Sequence, residues 1–169
     1  MLIRAETHGD EDAIARVNCA AFGGDEEAQL VERLRKDGLV IVSLVAVDDS
    51  GQIVGHILFS PVTIVTDTNE RQIASLAPMA VVPSCQRQGI GVRLVEQGLQ
   101  TCKQAGYRAV IVVGHPNYYP RFGFSSAFVA RLDNPFGSGD AFMGLELARG
   151  SLSDLEAGRI VYPRAFERS

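Results

Sequence analysis

The sequence predicts an α/β fold of the α+β type, in which a mixed central sheet begins as an antiparallel meander and continues as a parallel pair, with helices flanking it. Three observations predict it. β-rich runs separated by turn residues occupy positions 40 to 82. An amphipathic helical pattern follows from Val92 to Ala105, and directly after it comes an almost purely aliphatic run, Ala109 to Val113. A buried strand reached through a helical crossover looks like this.

Leu2 to Glu6 reads as a first strand, and Asp10 or Asp12 can cap a helix carrying Ile14, Val17 and Ala21 on one face. From Asp25 to Lys36 a second helix is expected, with Leu30, Val31 and Leu34 as its apolar stripe, acids in its first turn and Gly38 as its stop. Val40 to Val47 is a strand, and Asp48-Asp49-Ser50-Gly51 turns the chain back as Gln52 to Val65, where Pro61 predicts a bulge or bend. Asp67 to Glu70 is a second turn, leading to the strand Gln72 to Val82. Ile90, Leu94, Gly98, Leu99 and Cys102 line one face of the next helix, which Gly106 ends. Tyr118 to Phe124 suggests a short helix closing on Gly123. A strand near Ser126 to Arg131, a surface loop from Asn134 to Asp140 and a strand from Phe142 to Leu147 follow. The tail from Ser151 to Ser169 is read as a helical turn around Asp154 and an apolar strip, Ile160 to Phe166, that packs back on the sheet.

With 169 residues, 46% hydrophobic and 21% charged, the chain can bury one substantial core and does not require two, so one domain is expected over 1–169. A net charge of −4 argues against a broad nucleic-acid footprint, and no apolar run reaches membrane-spanning length. The expectation is a cytoplasmic monomer or homodimer with neither nucleic-acid nor membrane partners. Cys19, Cys85 and Cys102 form no Cys-x-x-Cys pair, which leaves free thiols and no metal site. Cys85 lies beside the glycine loop described next, where a positive environment would activate a thiol, yet no histidine is near it in sequence.

The most informative stretch is Gln86-Arg87-Gln88-Gly89-Ile90-Gly91, because it stands where a strand gives way to a helix. Glycines at 89 and 91 allow close backbone approach, and unpaired N–H groups of the helix's first turn face whatever sits there, aided by the positive end of the dipole. A pyrophosphate suits such a site. The stretch lacks the lysine and Ser/Thr of a phosphate-binding loop and is not the Gly-x-Gly-x-x-Gly of a dinucleotide fold.

Strand, glycine loop, helix, strand and tyrosine-bearing turn, in this order, resemble the GNAT (Gcn5-related N-acetyltransferase) family. Met79-Ala80-Val81-Val82-Pro83 followed by Gln86 to Gly91 matches that family's strand and Arg/Gln-x-x-Gly-x-Gly/Ala signature residue by residue, and Tyr119 stands four residues before Gly123-Phe124. Gly114 to Tyr119 and Tyr162-Pro163-Arg164-Ala165-Phe166 are similar to its bacterial YhbS-like branch.

The resemblance implies a GNAT fold whose two central parallel strands splay apart around acetyl-coenzyme A as cosubstrate, with no metal. Met79, Ala80 and Val81 would offer backbone hydrogen bonds to the pantetheine arm and thioester. Arg87, Gln88, Gly89, Ile90, Gly91 and Val92 would wrap the pyrophosphate. Tyr119 matches the tyrosine that protonates the leaving thiolate, whereas Tyr118 is one residue too far from Gly123. Asn117 either hydrogen-bonds the pantetheine arm or caps the short helix, and Arg121 either reaches the 3′-phosphate or faces solvent.

The base is unassigned. The flanking strands carry no carboxylate, and the position seven residues before Tyr119, an asparagine in some relatives, is Val112. His115 at the strand end, Glu26 or Glu27 at the start of the second helix, and ordered water are the candidates, while His56 and His8 look incidental. The resulting expectation is acetyl transfer to a primary amine of an unidentified acceptor by direct attack in a ternary complex. The alternative is a catalytically silent acetyl-coenzyme A sensor.

Overall fold

Hydrophobic alternation and two tight turns make the first half of the chain an antiparallel meander. The structure, a computed structural model, describes residues 1–137 and 139–167. Its strands are β1 (Leu2–Ala5), β2 (Val42–Val47), β3 (Ile53–Thr66), β4 (Glu70–Val81), β5 (Ala109–Val113), β6 (Leu132–Asp133), β7 (Phe142–Glu146) and β8 (Gly158–Val161). The helices are α1 (Glu11–Phe22), α2 (Glu26–Lys36) and α3 (Ile90–Gln104). The strands form one mixed sheet in the order β1-β2-β3-β4-β5-β7, with β8 pairing β3 and β6. The mixed sheet expected from the sequence, an antiparallel meander continued by a parallel pair and flanked by helices, is the one observed. By contacts the residues group into two compact units, Met1–Ser60 with Leu76–Thr101, and Pro61–Ser75 with Cys102–Glu167; β3 and β4 each contribute to both.

In the first unit, β1 pairs β2 antiparallel with Leu2 opposite Val47, and β2 pairs β3 with Val42 opposite Phe59. Asp10 precedes α1, but its carboxylate does not bond the helix's own N–H groups. It accepts from Thr7 N and from Arg4 at 2.7 and 3.2 Å, and the Arg4 hydrogen bond holds its pKa down at about 2. α2 ends in a Schellman motif: Gly38 adopts φ 70, and Gly38 N and Leu39 N donate to Arg35 O and Leu34 O. α3 seats on β3 through two glycines. A Cβ on Gly55 would lie 3.1 Å from Leu94 and 3.2 Å from Ile90, and one on Gly98 would lie 2.8 Å from Phe59 Cζ. The missing side chains let helix and strand approach, which fixes the N-terminus of α3 over β3.

His56, read from the sequence as incidental, lies at the centre of a buried polar chain. Ser43 Oγ donates to Glu6 at 2.6 Å, and a hydroxyl has only one proton to give, so at 3.0 Å it accepts from His56 Nε2–H. The other nitrogen, Nδ1, therefore accepts from Asn18 Nδ2 at 3.2 Å, and Asn18 also donates to Ile14 O. Arg35 closes the chain by a two-pronged ion pair with Glu6 at 3.0 and 3.1 Å. His56 and Asn18 are both fully buried.

The second unit is built on β5. It pairs β7 antiparallel and β4 parallel, and the parallel ladder consists of Ala74 opposite Val110 and Ser75 opposite Ile111. Ile64, Ile73, Ile111, Phe142 and Ile160 belong to its core. Several sequence expectations are corrected here. Ser126 to Arg131 is not a strand: the Ser125 side chain accepts from Ala127 N and starts a 3₁₀ turn over Ser126–Val129, ahead of the two-residue β6. The helical turn expected around Asp154 is present as a single turn, with Asp154 N donating to Gly150 O at 3.1 Å. The apolar tail supplies a strand, β8, which pairs Thr63–Thr66 of β3, followed by a 3₁₀ turn at Arg164–Phe166. Pro61 stands where β3 changes partner, after pairing β2 up to Phe59 and before pairing β8 from Thr63, so its missing N–H breaks no bond of either of those ladders. The irregularity on β3 is instead opposite Ala46/Val47. The predicted loop Asn134 to Asp140 includes Ser138, which lies outside the described residues, as do positions 168 and 169 of the predicted tail.

Burial lowers the His56 pKa from 6.5 to about 4, so the folded state holds the imidazole neutral. Its stabilisation is complete above pH 6.5 and is lost as pH falls from there to about 4, by about 3 kcal/mol in all. Urea midpoints measured from pH 7.5 to 4.5 should fall accordingly. His56→Gln should flatten that decline, and an undiminished decline in the variant would assign it to other groups.

Candidate functional site

The residues singled out by sequence fall into two groups, one in each unit. In the first, β4 ends at Val81, and a 3₁₀ turn at Pro83–Cys85 leads into the glycine loop. The β5 ladder stops at Ser75, six residues before β4 itself ends, so it takes up none of the backbone groups of Met79, Ala80 and Val81. Ala80 and Val81 are buried, and Met79 is half-buried.

Arg87 has φ 63 and Gly89 φ 84, two left-handed residues separated by Gln88. Alternation of this kind turns successive N–H groups to one side and forms an anion-binding concavity. The first backbone bond of the helix is Arg93 N to Gly89 O at 3.1 Å, so the N–H groups of Ile90, Gly91 and Val92 precede the helical ladder. A Cβ on Gly89 would meet nothing within 4 Å, and Arg87, Gln88 and Gly89 are exposed: the concavity is open. The buried Ile90 anchors the turn from below. Sequence reading missed the work of Gln86, whose Nε2 donates to Val81 O at 2.9 Å and ties the loop to the end of β4. The glutamine of the signature thus has a structural use in this chain. Cys85 is partly exposed and close only to Ser84 Oγ, at 3.8 Å.

In the second unit, the chain leaves β5 at Val113 and forms a 3₁₀ turn over Tyr119–Phe122, closed by Gly123 at φ 98. The Tyr119 ring lies over Gly114, where a Cβ would come within 3.0 Å of Tyr119 Cδ2, so only glycine leaves the ring its place. Tyr118 and Phe124 pack edge-on against it, with centroids 5.1 and 5.8 Å away. Burial, with a smaller contribution from Tyr118, pushes the Tyr119 phenol up to about 12. The group is therefore a protonated donor at neutral pH, not a base.

His115 holds this turn through its carbonyl, which accepts from Tyr118 N at 3.1 Å and Tyr119 N at 3.4 Å, while the residue is exposed. Asn117 is exposed and does not cap: the cap position is Tyr118, with no side-chain bond. Arg121 faces neither of its expected partners alone, since its Nε donates to Tyr118 O at 2.8 Å and its guanidinium stacks 4.3 Å over the Tyr118 ring. Glu26 and Glu27 begin α2 in the first unit. His56 has both nitrogens engaged and is not available as a base. Among the described residues no group of three His, Cys, Asp or Glu side chains could hold a metal ion, and no helix is long and apolar enough to cross a membrane.

Comparison with known proteins shows the family and the fold. Residues 2–127 match the family model "Acetyltransferase (GNAT) domain". The uncharacterized N-acetyltransferase YhbS of Escherichia coli (strain K12) is 37% identical over 169 residues, covering 99% of both chains. The crystal structure of E. coli YhbS in complex with CoA superposes with a TM-score of 0.89 at 36% identity, over 99% of this chain and 92% of that one. A GNAT family acetyltransferase from Brucella melitensis in complex with acetyl-CoA gives 0.81 at 33% identity, over 98% and 97%.

The left-handed Arg87 should be replaceable by glycine without loss of stability. Relief of about 1 kcal/mol of backbone strain offsets the added freedom of the unfolded chain, so the Arg87→Gly urea midpoint should match or slightly exceed the wild type. A loss of more than ~1 kcal/mol would mean that the Arg87 side chain holds the loop.

Proposed function

We propose, from the premise that the chain belongs to the GNAT acetyltransferase family and is an acetyl-coenzyme A-dependent N-acetyltransferase, that it transfers acetyl to a primary amine by direct attack in a ternary complex, acting as one domain over 1–169. The observation that carries this reading is the left-handed pair Arg87 and Gly89 at the start of α3. It is an open backbone cradle of N–H groups, the polarity a pyrophosphate needs, and two relatives aligned over nearly their full length were crystallised with CoA or acetyl-CoA.

In this reading the N–H groups of Arg87 to Val92 hold the pyrophosphate. The backbone groups of Met79 to Val81 that no neighbouring strand or Gln86 takes up align the pantetheine arm and donate to the thioester oxygen, where charge develops during attack. Asn117, exposed beside the tyrosine turn, adds a polar contact to the arm. The amine must lose a proton, its nitrogen bonds the acyl carbon, and the carbon–sulfur bond breaks. Tyr119 donates its proton to the departing thiolate and regains one from solvent; burial keeps the phenol protonated until sulfur gathers charge, and packing fixes its ring. His115, exposed on the same turn, is the base assigned to the amine. The absence of a carboxylate from Ile73–Val81 of β4 and from β5 also supports a second reading, an acetyl-coenzyme A sensor without turnover.

Thiol release against an amine panel tests both readings. Tyr119→Phe should lower kcat about 10²–10⁴-fold with acetyl-coenzyme A affinity retained by calorimetry, and Tyr118→Phe should do less. Equal, wild-type-like rates in the two variants would remove the acid role. The ascending limb of the kcat/KM pH profile should disappear in His115→Ala. A limb that tracks the pKa of the acceptor amine and ignores the variant would exclude histidine and turn the search to Glu26 and Glu27. Tight acetyl-coenzyme A binding with no transfer to any amine would favour the sensor.

A further inference from the structure

Two large apolar side chains of the second unit are exposed near one another, Phe136 at 51% and Val113 at 38%. Val113 ends β5, and Gly137, next to Phe136, lies against it: a Cβ on Gly137 would come within 2.6 Å of Val113 Cγ1. The strand direction continues through Gly114, whose N–H bonds Ala141 O, and Gly114 carries the ring of Tyr119. Successive Cβ directions alternate across a strand. Tyr119 and the Phe136–Gly137 segment therefore flank the end of β5 from opposite faces.

The exposed ring is held stiffly. Phe136 N donates to Asn134 Oδ1 at 2.9 Å, and Asn134 Nδ2 donates to the Tyr162 hydroxyl at 2.8 Å. That hydroxyl also hydrogen-bonds Ser75, the β4 residue in the last pair of the parallel ladder. Phe136 stands edge-to-face with Tyr162 at 4.8 Å, and Phe166 packs against both. A solvent-facing phenylalanine tied through two side chains to the sheet is a preorganised contact surface, since a ligand meeting it does not first have to order it.

We propose that Phe136 and Val113 form the specificity-determining wall for the acceptor, that the acceptor is a primary amine bearing an aromatic ring on a short linker, and that Tyr162 is the positioning residue that fixes this wall. The proposal rests on the transferase reading above. In this proposal the body of the acceptor lies on the face opposite Tyr119, where Val113 and Phe136 stand and the ring that serves the sulfur takes up no space. Neither side chain offers a hydrogen bond, so they select by apolar area and ring stacking.

Phenethylamine and propylamine are the probes. The wild type should favour phenethylamine in kcat/KM. Phe136→Ala should cut that preference roughly three- to ten-fold, the worth of one aromatic contact, chiefly through KM, and Phe136→Leu should keep part of it. Tyr162→Phe keeps the ring and removes only the hydroxyl; it should lower the same ratio, whereas a merely structural residue would slow both amines alike. An absent wild-type preference, or one unchanged in Phe136→Ala, overturns the proposal. Should neither amine be acetylated, calorimetry of both amines on coenzyme A-saturated protein decides separately. Phenethylamine binding that weakens in Phe136→Ala sustains the wall while the transferase reading fails, and binding no stronger than that of propylamine overturns the wall.

Discussion

The parallel ladder between β4 and β5 is two residue pairs long, and the proposed placement of the chemistry depends on that brevity. In a longer ladder the backbone donors and acceptors along one edge of Met79 to Val81 would be consumed by a neighbouring strand. Here β4 runs on for six residues past the last pair and ends in the loop that opens α3. An extended edge that β5 leaves unpaired, apart from the Val81 carbonyl that Gln86 takes, leading into a turn whose N–H groups precede the helical ladder, is a natural seat for an elongated ligand with an anionic end. Ser75, in the last pair of the ladder, is also where the Tyr162 hydroxyl bonds, so the end of the ladder is held by a side chain from the C-terminal tail.

Glycine in this protein marks close approaches as well as turns. Gly55 and Gly98 let α3 settle on β3, and Gly114 leaves room for the Tyr119 ring. In each case an aromatic or branched side chain fills the space the glycine leaves, so the helix that carries the loop and the turn that carries the tyrosine are each keyed by a large residue against a small one. Such pairs specify position better than uniform apolar surfaces, because only one register brings the large side chain over the gap.

The buried chain runs in one direction from Asn18 through His56 and Ser43 to Glu6, each donor finding the next acceptor, and Arg35 donates to Glu6 from the other side. It fixes the His56 tautomer and links α1, β3, β2 and α2 within one unit. Asn18 Oδ1 and Ser60 Oγ are buried without a hydrogen-bond partner among the described residues. A chain of this kind contributes to uniqueness more than to net stability, since burying its polar groups offsets much of what their bonds contribute.

By itself the sequence determined the features that local chemistry controls. Periodicity and turn residues located the meander, the helices and the strand Ala109–Val113, and the glycine spacing located the loop and the tyrosine turn. These depend on backbone propensity and on side chains a few positions apart, which a single chain displays directly. Only the tertiary structure decided which groups meet across long separations: His56 with Asn18, 38 residues away, Tyr162 with Ser75, and β8 with β3. The four-residue β8 carries too weak an alternation to announce itself, and Ser126–Val129, with β-forming residues, turns instead because Ser125 caps it locally. Gln86, a polar signature residue by sequence, became a staple only because the end of β4 offered an unpaired carbonyl within its reach. Burial and partner choice are properties of the packed molecule, and they convert the same residue types into ligand contacts, anchors or core according to what the fold brings beside them.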